Sequence, residues 1–266
     1  MTLHVLMTFG IFALTLFLVL RKPAGLHEAY GTLIGAALML LSGLVQPAQA
    51  AQTVLEGSNV LFFLLALMVL SALLDRAGFF EWASILSARA SGGNVRTLFR
   101  NVFILGAIIT AVLSLDTTAI ILTPIVVASV QRLKLNAYPF LMACAFVANT
   151  GSLLFPVSNL TNLLFQEAFH YSFVSFTVFM LLPQLVALLL NYWLFNLLFR
   201  DKIAGSFDEE LLPPAHSVIP DRPFFVGAVL VLVAVVAGGA VFQVQQDVGP
   251  AQGGRLEAET HNDGIG

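Results

Sequence analysis

Asp116 stands in the stretch SLDTTAIILTP, Ser114 to Pro124, flanked by hydroxyls at Ser114, Thr117 and Thr118 and otherwise by apolar residues. A carboxylate inside a membrane costs several kcal/mol unless it is protonated, paired or hydrated, so this pattern points to proton or solute handling. The plainer reading is that Asp116 caps a helix that begins at Thr117, because a side-chain oxygen there satisfies a free backbone N–H. A second polar interruption is ANTGSLLFPVSNLTNLLF, Ala148 to Phe165. It contributes Asn149, Thr150 and Ser152, then Pro156, then Ser158, Asn159, Thr161 and Asn162. Unwound backbone of this kind is tolerated in a membrane only where it is buried in protein or lines a wet cavity. Helices broken in this way are the usual substrate site of secondary transporters. Hydroxyl and amide side chains also serve as glue between helices, which is the plainer reading of this cluster. Neither stretch contains Lys or Arg, so neither holds an arginine clamp for a strongly anionic solute.

The elements that must position these residues follow from composition. Of 266 residues, 58% are hydrophobic and only 10% charged, against about 25% charged in ordinary soluble domains. The mean hydropathy is +0.91. The fold class is therefore an all-α polytopic membrane protein; a cell (inner) membrane is its expected location. A span needs roughly 20 apolar residues. Leu3–Leu20, Tyr30–Val45, Asn59–Leu74, Phe173–Phe199 and Phe224–Phe242 are read as spans. Phe79–Arg89 alternates apolar and polar residues and is read as a helix lying in the interface.

Charge decides the two interrupted segments. A single helix over Asn101–Val130 would be about 45 Å long, too long for one crossing. It would also put Arg132 and Lys134 on the opposite side from Arg96 and Arg100, against the bias of basic loops to the cytoplasm. Folding residues 101–131 as a re-entrant hairpin with its tip at Ser114–Thr118, and 138–169 as a broken helix, places every one of the twelve Lys and Arg residues except Arg255 on the cytoplasmic side. Residues 1–199 then form one transmembrane block, which the family resemblance given below makes one repeat. Residues 200–223, with four prolines, read as a cytoplasmic linker, 224–242 as a further span, which the resemblance given below makes the first of an incomplete second repeat, and 243–266 as a disordered tail.

Several classes are excluded or disfavoured. The lone Cys144 cannot form an internal disulfide and lacks the partners of a metal site. There is no phosphate-binding loop, metal constellation or nucleophile–base pair, so the chain is not read as an enzyme and no cofactor is expected. An intramembrane aspartyl protease would need a second aspartate in another span.

The two stretches SLDTTAIILTPIVV and ANTGSLLFPVSNLTNLLF, in this order and spacing, resemble the arsenical pump membrane protein (ArsB-type) family of the ion transporter superfamily, over about residues 5–242. The resemblance implies that a re-entrant hairpin and a broken helix from each of two inverted repeats meet at one site. It implies binding roles for Asp116, Thr117 and Thr118 at the tip and for Asn149, Thr150, Ser152, Ser158, Asn159 and Asn162 at the break. Leu115 stands where that family often has Asn. The implied activity is export of arsenite- or antimonite-like solutes, by proton exchange or with a soluble ATPase subunit. The alternatives are a cation/proton or organic-anion carrier of the same superfamily, or a non-transporting membrane fragment. Only one repeat is legible in this chain, so a homodimer is one way to complete a site, and no nucleic-acid partner is expected.

Overall fold

Apolar runs bounded by Gly, Pro and Asn give helices, and a computed structural model describes residues 2–169 and 171–248. Regular structure among them is helical apart from one isolated bridge, Asn94 to Ser206. The chain divides into two units, Met1–Phe62 and Phe63–Gly266.

In the first unit, α1 (Thr2–Arg21) and α2 (Glu28–Leu41) pack against each other in opposite directions. Gly31 and Gly35 are four apart and present one small-residue face of α2, which lets the two backbones approach closely. A Cβ at Gly31 would lie 3.2 Å from Val19 Cγ2, and one at Gly35 would overlap the Thr15 side chain. Lys22 and Glu28 form an ion pair across the connecting turn. α2 is shorter than the Tyr30–Val45 span read from the sequence: it has 14 residues and stops just before Gly43, whose φ of +70° leaves the helical region. A helix the sequence reading missed, α3, occupies Pro47–Glu56. Its apolar content is low, so a search for spans passes over it.

The second unit takes most of α4 (Ser58–Arg76), then α5 (Phe79–Arg89) and α6 (Val95–Val112). α6 starts six residues before the expected Asn101. Asn94 caps it, its Oδ1 accepting the Thr97 N–H at 3.0 Å, and Val95, Leu98, Phe99, Val102, Phe103 and Gly106 form one buried face. Arg96 and Arg100 lie on the exposed face of the same helix, which is why their charge suggested a loop. α5 has the expected bounds. Its apolar face, including the fully buried Phe80, packs on α6 and on α7 (Thr123–Arg132). Phe99 of α6 meets Phe140 of α8 (Tyr138–Thr150) edge to face at 5.5 Å, and both rings are fully buried.

α8 ends at a turn and a 3-10 segment, Pro156–Ser158, before α9 (Leu160–Phe169). α10 (Phe173–Leu198) carries Pro183 in its interior. The segment read as a linker is not free chain. Arg89 donates to the carbonyls of Leu212 and Pro213 at 3.2 and 3.1 Å. Phe207 N–H donates to Gly93 O at 2.8 Å, and Val95 N–H to Gly205 O at 3.2 Å. Ile203 and Leu212 are buried in the same core as α5 and α6. The prolines remove donors but do not prevent docking, because Phe207 N–H and Gly205 O still pair with Gly93 and Val95. α11 runs Arg222–Val248, so residues 243–248, expected to be disordered, are helical, and residues 249–266 of that expected tail lie outside the described residues.

Three helices, His4–Arg21, Val95–Val112 and Phe173–Leu198, are long and apolar enough to cross a membrane, or up to five segments if bent pairs are counted as single spans. These counts refer to the described residues. α10 shows the expected surface, with Leu182, Leu189, Trp193 and Leu197 all exposed; such an apolar exterior suits lipid and not water.

Candidate functional site

The Asp116 stretch is a reversal of the chain. Thr110 and Thr118 hydroxyls are 2.7 Å apart, and a Cβ at Gly106 would lie 4.0 Å from Leu122 Cδ2. Residues equally far from Ser114 therefore face each other, which happens only when the chain turns back there. The far ends of the two arms agree. Asn101 donates to Ser87 O at 3.0 Å, and Ser84 donates to Ser129 at 3.3 Å, so the start of α6 and the end of α7 both sit on α5.

The tip has its own hydrogen-bond economy. Ser114, not Asp116, caps the second arm: its Oγ accepts the Thr117 N–H at 3.1 Å, while Asp116 makes no side-chain cap. That corrects the capping reading of Asp116. Thr117 is buried and its hydroxyl meets Ser71 of α4 at 2.7 Å and Ser114 at 2.9 Å. Thr110 donates to Gly106 O, so Thr118 is left to donate to Thr110 Oγ1. The arm then widens into a π-helical turn, Thr117–Leu122. Pro124 has no N–H to return to the preceding turn, and such widened turns frequently mark functional sites. Thr123 donates to Thr118 O at 2.7 Å and closes the turn. Asp116 itself is exposed at the tip, with no hydrogen bond or ion pair among the described residues.

The second interruption satisfies its own backbone in a similar way. Ser158, fully buried, shares its one hydroxyl proton between the carbonyls of Ser152 and Phe155 at 2.7 and 2.6 Å. Asn162 Nδ2 donates to the same two carbonyls at 2.7 and 3.2 Å. These are the acceptors that a broken helix leaves orphaned. Ser152 donates to Asn149 O at 2.8 Å, Asn159 reaches Ser152 Oγ at 3.5 Å, and Asn159 Oδ1 caps α9 by accepting the Thr161 N–H at 3.0 Å. Asn149 is exposed, with its amide nitrogen on Ala145 O at 3.2 Å.

Thr110 joins the two interruptions. One side of it holds Thr118 at the hairpin tip, and the other lies against the break, where a Cβ at Gly151 would fall 3.2 Å from Thr110 Cβ and 3.4 Å from Ala107 Cα. Only a residue without a side chain allows α6 that close to the broken helix.

Of the ten candidate residues, Ser114, Thr117, Thr118, Thr150, Ser152 and Ser158 commit their hydroxyls to protein partners. The Asp116 carboxylate and the Oδ1 atoms of Asn149 and Asn162 are free among the described residues. Sequence reasoning missed Ser71, Thr110, Gln184 and Asn191. Gln184 Oε1 of α10 accepts the Leu153 N–H at 3.0 Å, and Asn191 Nδ2 donates to Thr150 Oγ1 at 2.9 Å. The available signal was their polarity in a 26-residue helix of otherwise apolar character. Gln184→Leu leaves the Leu153 N–H without its acceptor. It should lower stability by about 1–3 kcal/mol, read by denaturation in detergent, while truncation of the exposed Leu189 to Ala should change it by less than about 0.5 kcal/mol.

Comparison with known proteins adds the family. The sequence profile described as citrate transporter (CitMHS) matches residues 14–248. The arsenical pump membrane protein of Yersinia enterocolitica is 35% identical over 237 residues, 88% of this chain and 55% of the relative. That of Escherichia coli strain K12 is 34% identical over 231 residues, 85% and 54% of the two chains. A 46 kDa membrane protein of Mycobacterium leprae is 27% identical over 238 residues, 85% and 55%. The chain thus spans about half the length of the curated relatives it matches. No solved structure matches it. The reversal at Ser114, the broken helix and the profile match over most of the chain agree: this chain belongs to the CitMHS/ArsB family of membrane transporters, is a multi-pass membrane protein, and is not an enzyme.

Proposed function

We infer that this chain is one repeat of a secondary transporter that exports arsenite- or antimonite-like neutral oxyacids in exchange for protons across the cell membrane. The observation that carries this reading is the pairing of the two interruptions across Thr110, with the unpartnered Asp116 carboxylate at the tip of one of them. In the membrane the reversal becomes a re-entrant hairpin, and Asp116 takes up and releases the exchanged proton. Asn149 and Asn162 offer amide oxygens to the hydroxyls of the solute, while the buried threonines and serines hold the two breaks in shape. The arsenical pump names of the relatives support the substrate. A carboxylate placed to carry protons favours exchange over coupling to a soluble ATPase.

A second reading, carriage of an organic anion such as citrate, is favoured by the description of the family profile. Neither interruption supplies a cation for it, so the neutral solute is preferred.

Alternating access requires one repeat to move against another, and the described residues hold one hairpin and one broken helix. The expected outcome in an arsenite-sensitive bacterial host follows. The 266-residue chain alone should give no protection, and its fusion to the remaining part of the Yersinia enterocolitica relative should restore growth on arsenite. Protection by the chain alone, with the intact protein found in the membrane, would instead require a homodimer. Failure of a membrane-inserted fusion to protect against arsenite, combined with citrate uptake by it, would support the second reading.

A further inference from the structure

We propose that the groove between α8 and α10 is a binding site for an anionic phospholipid, with an acyl chain lying in the groove and the phosphate held by Lys202. The groove has a volume of about 600 Å³. Its α8 wall is Tyr138, Met142 and Phe146, each four residues after the last, which is one face of a helix. Its α10 wall includes Leu194 and Leu198, again four apart. The helices run in opposite directions: Phe146 meets Phe195 at 5.3 Å and Tyr138 meets Phe199 at 5.7 Å between ring centres. Along α10 the groove runs from Leu190 to Leu198, roughly 12 Å at helical rise, enough for more than half of an acyl chain.

One end differs from the rest. Lys202 lies just beyond the end of α10, and its Nζ stands 5.4 Å from the Tyr138 ring centre and 6.0 Å from that of Phe199. No carboxylate pairs with it among the described residues. The neighbouring acid, Asp201, lies 3.5 Å from Arg200 instead. A lysine at the end of a span extends its ammonium to the headgroup level while its stem stays on apolar surface. An apolar channel that ends in one free cation at that level complements a lipid with a negative headgroup. It does not complement a free anion, to which the apolar walls of α8 and α10 offer nothing. A zwitterionic lipid fits the groove equally well and loses only the charge selectivity. Within hydrocarbon, an acyl chain also fills such a volume at no cost in lost hydrogen bonds, whereas water there would lack partners.

The test is native mass spectrometry of the full chain released from detergent with phosphatidylglycerol, phosphatidylcholine or glycerol 3-phosphate. The expected result is a preference for phosphatidylglycerol over phosphatidylcholine of about fivefold, the contribution of one lysine near a membrane surface. Lys202→Gln should bring that ratio to near one without changing phosphatidylcholine binding. Leu194→Trp, which fills the groove, should reduce both lipids. Glycerol 3-phosphate, with the same phosphate and no acyl chain, should not displace the lipid. Equal binding of the two lipids by the unaltered chain, a ratio insensitive to Lys202→Gln, or displacement by glycerol 3-phosphate would each overturn the proposal. So would a dimer whose formation excludes lipid from the groove. Lys202→Gln alters an exposed side chain, and its unfolding transition should match that of the unaltered chain.

Discussion

Asp116→Asn should abolish proton-driven arsenite transport into everted membrane vesicles, to the level of vesicles lacking the protein, in a carrier that contains this repeat together with its second one. Asn keeps the shape of the side chain and its hydrogen-bonding capacity but cannot exchange a proton. The structure makes the substitution unusually clean. Among the described residues, Asp116 contributes no cap, no ion pair and no hydrogen bond to the tip; Ser114 supplies the cap, and Thr117 and Thr118 supply the contacts to Ser71 and Thr110. The variant should therefore insert normally and unfold within about 0.5 kcal/mol of the unaltered protein, as substitutions that break no buried contact do. Loss of transport together with loss of insertion would mean that Asp116 is structural. Full transport by the Asn variant would remove the carboxylate from the coupling mechanism.

The polar interruptions were legible because they are polar where the surrounding chain is not. Asp116 and the Asn149–Asn162 cluster stand out in apolar runs, and Pro156 marks a break in hydrogen bonding. Charge added the reversal, since Arg132 and Lys134 make sense on the side of Arg96 and Arg100 only if the chain turns back. What the sequence could not assign was which polar groups serve the fold and which remain for a ligand. Ser158 and Asn162 were both candidates. Both turn out to spend donors on the carbonyls of Ser152 and Phe155, and Asn162 alone keeps a free Oδ1.

Partners across the fold were hidden for a different reason. Ser71, Thr110, Gln184 and Asn191 are single polar residues in apolar helices, and a lone residue of that kind carries no spacing to read. Their roles depend on which helices become neighbours. The same holds for the docked segment 200–223. Its prolines and acidic run look like free linker, yet its backbone pairs with Gly93, Val95 and Arg89, which are more than a hundred residues earlier in the chain. α5 shows the converse. Its bounds followed from local pattern, but its buried face depends on α6 and α7 being brought together by the turn at Ser114.

The proposal that Asp116 enters the membrane at the tip of a re-entrant hairpin is tested most directly by the sidedness of its two ends. Single cysteines are placed at Arg96 and Lys134 in a Cys144→Ala background and labelled with an impermeant maleimide in intact cells and in everted vesicles. Both ends of the hairpin sit on α5, through Asn101 on Ser87 and Ser129 with Ser84, so both probes should react from the cytoplasmic face alone. Labelling of Arg96→Cys from the cytoplasm and of Lys134→Cys only from the outside would mean that the chain crosses the membrane between them, and would contradict the hairpin.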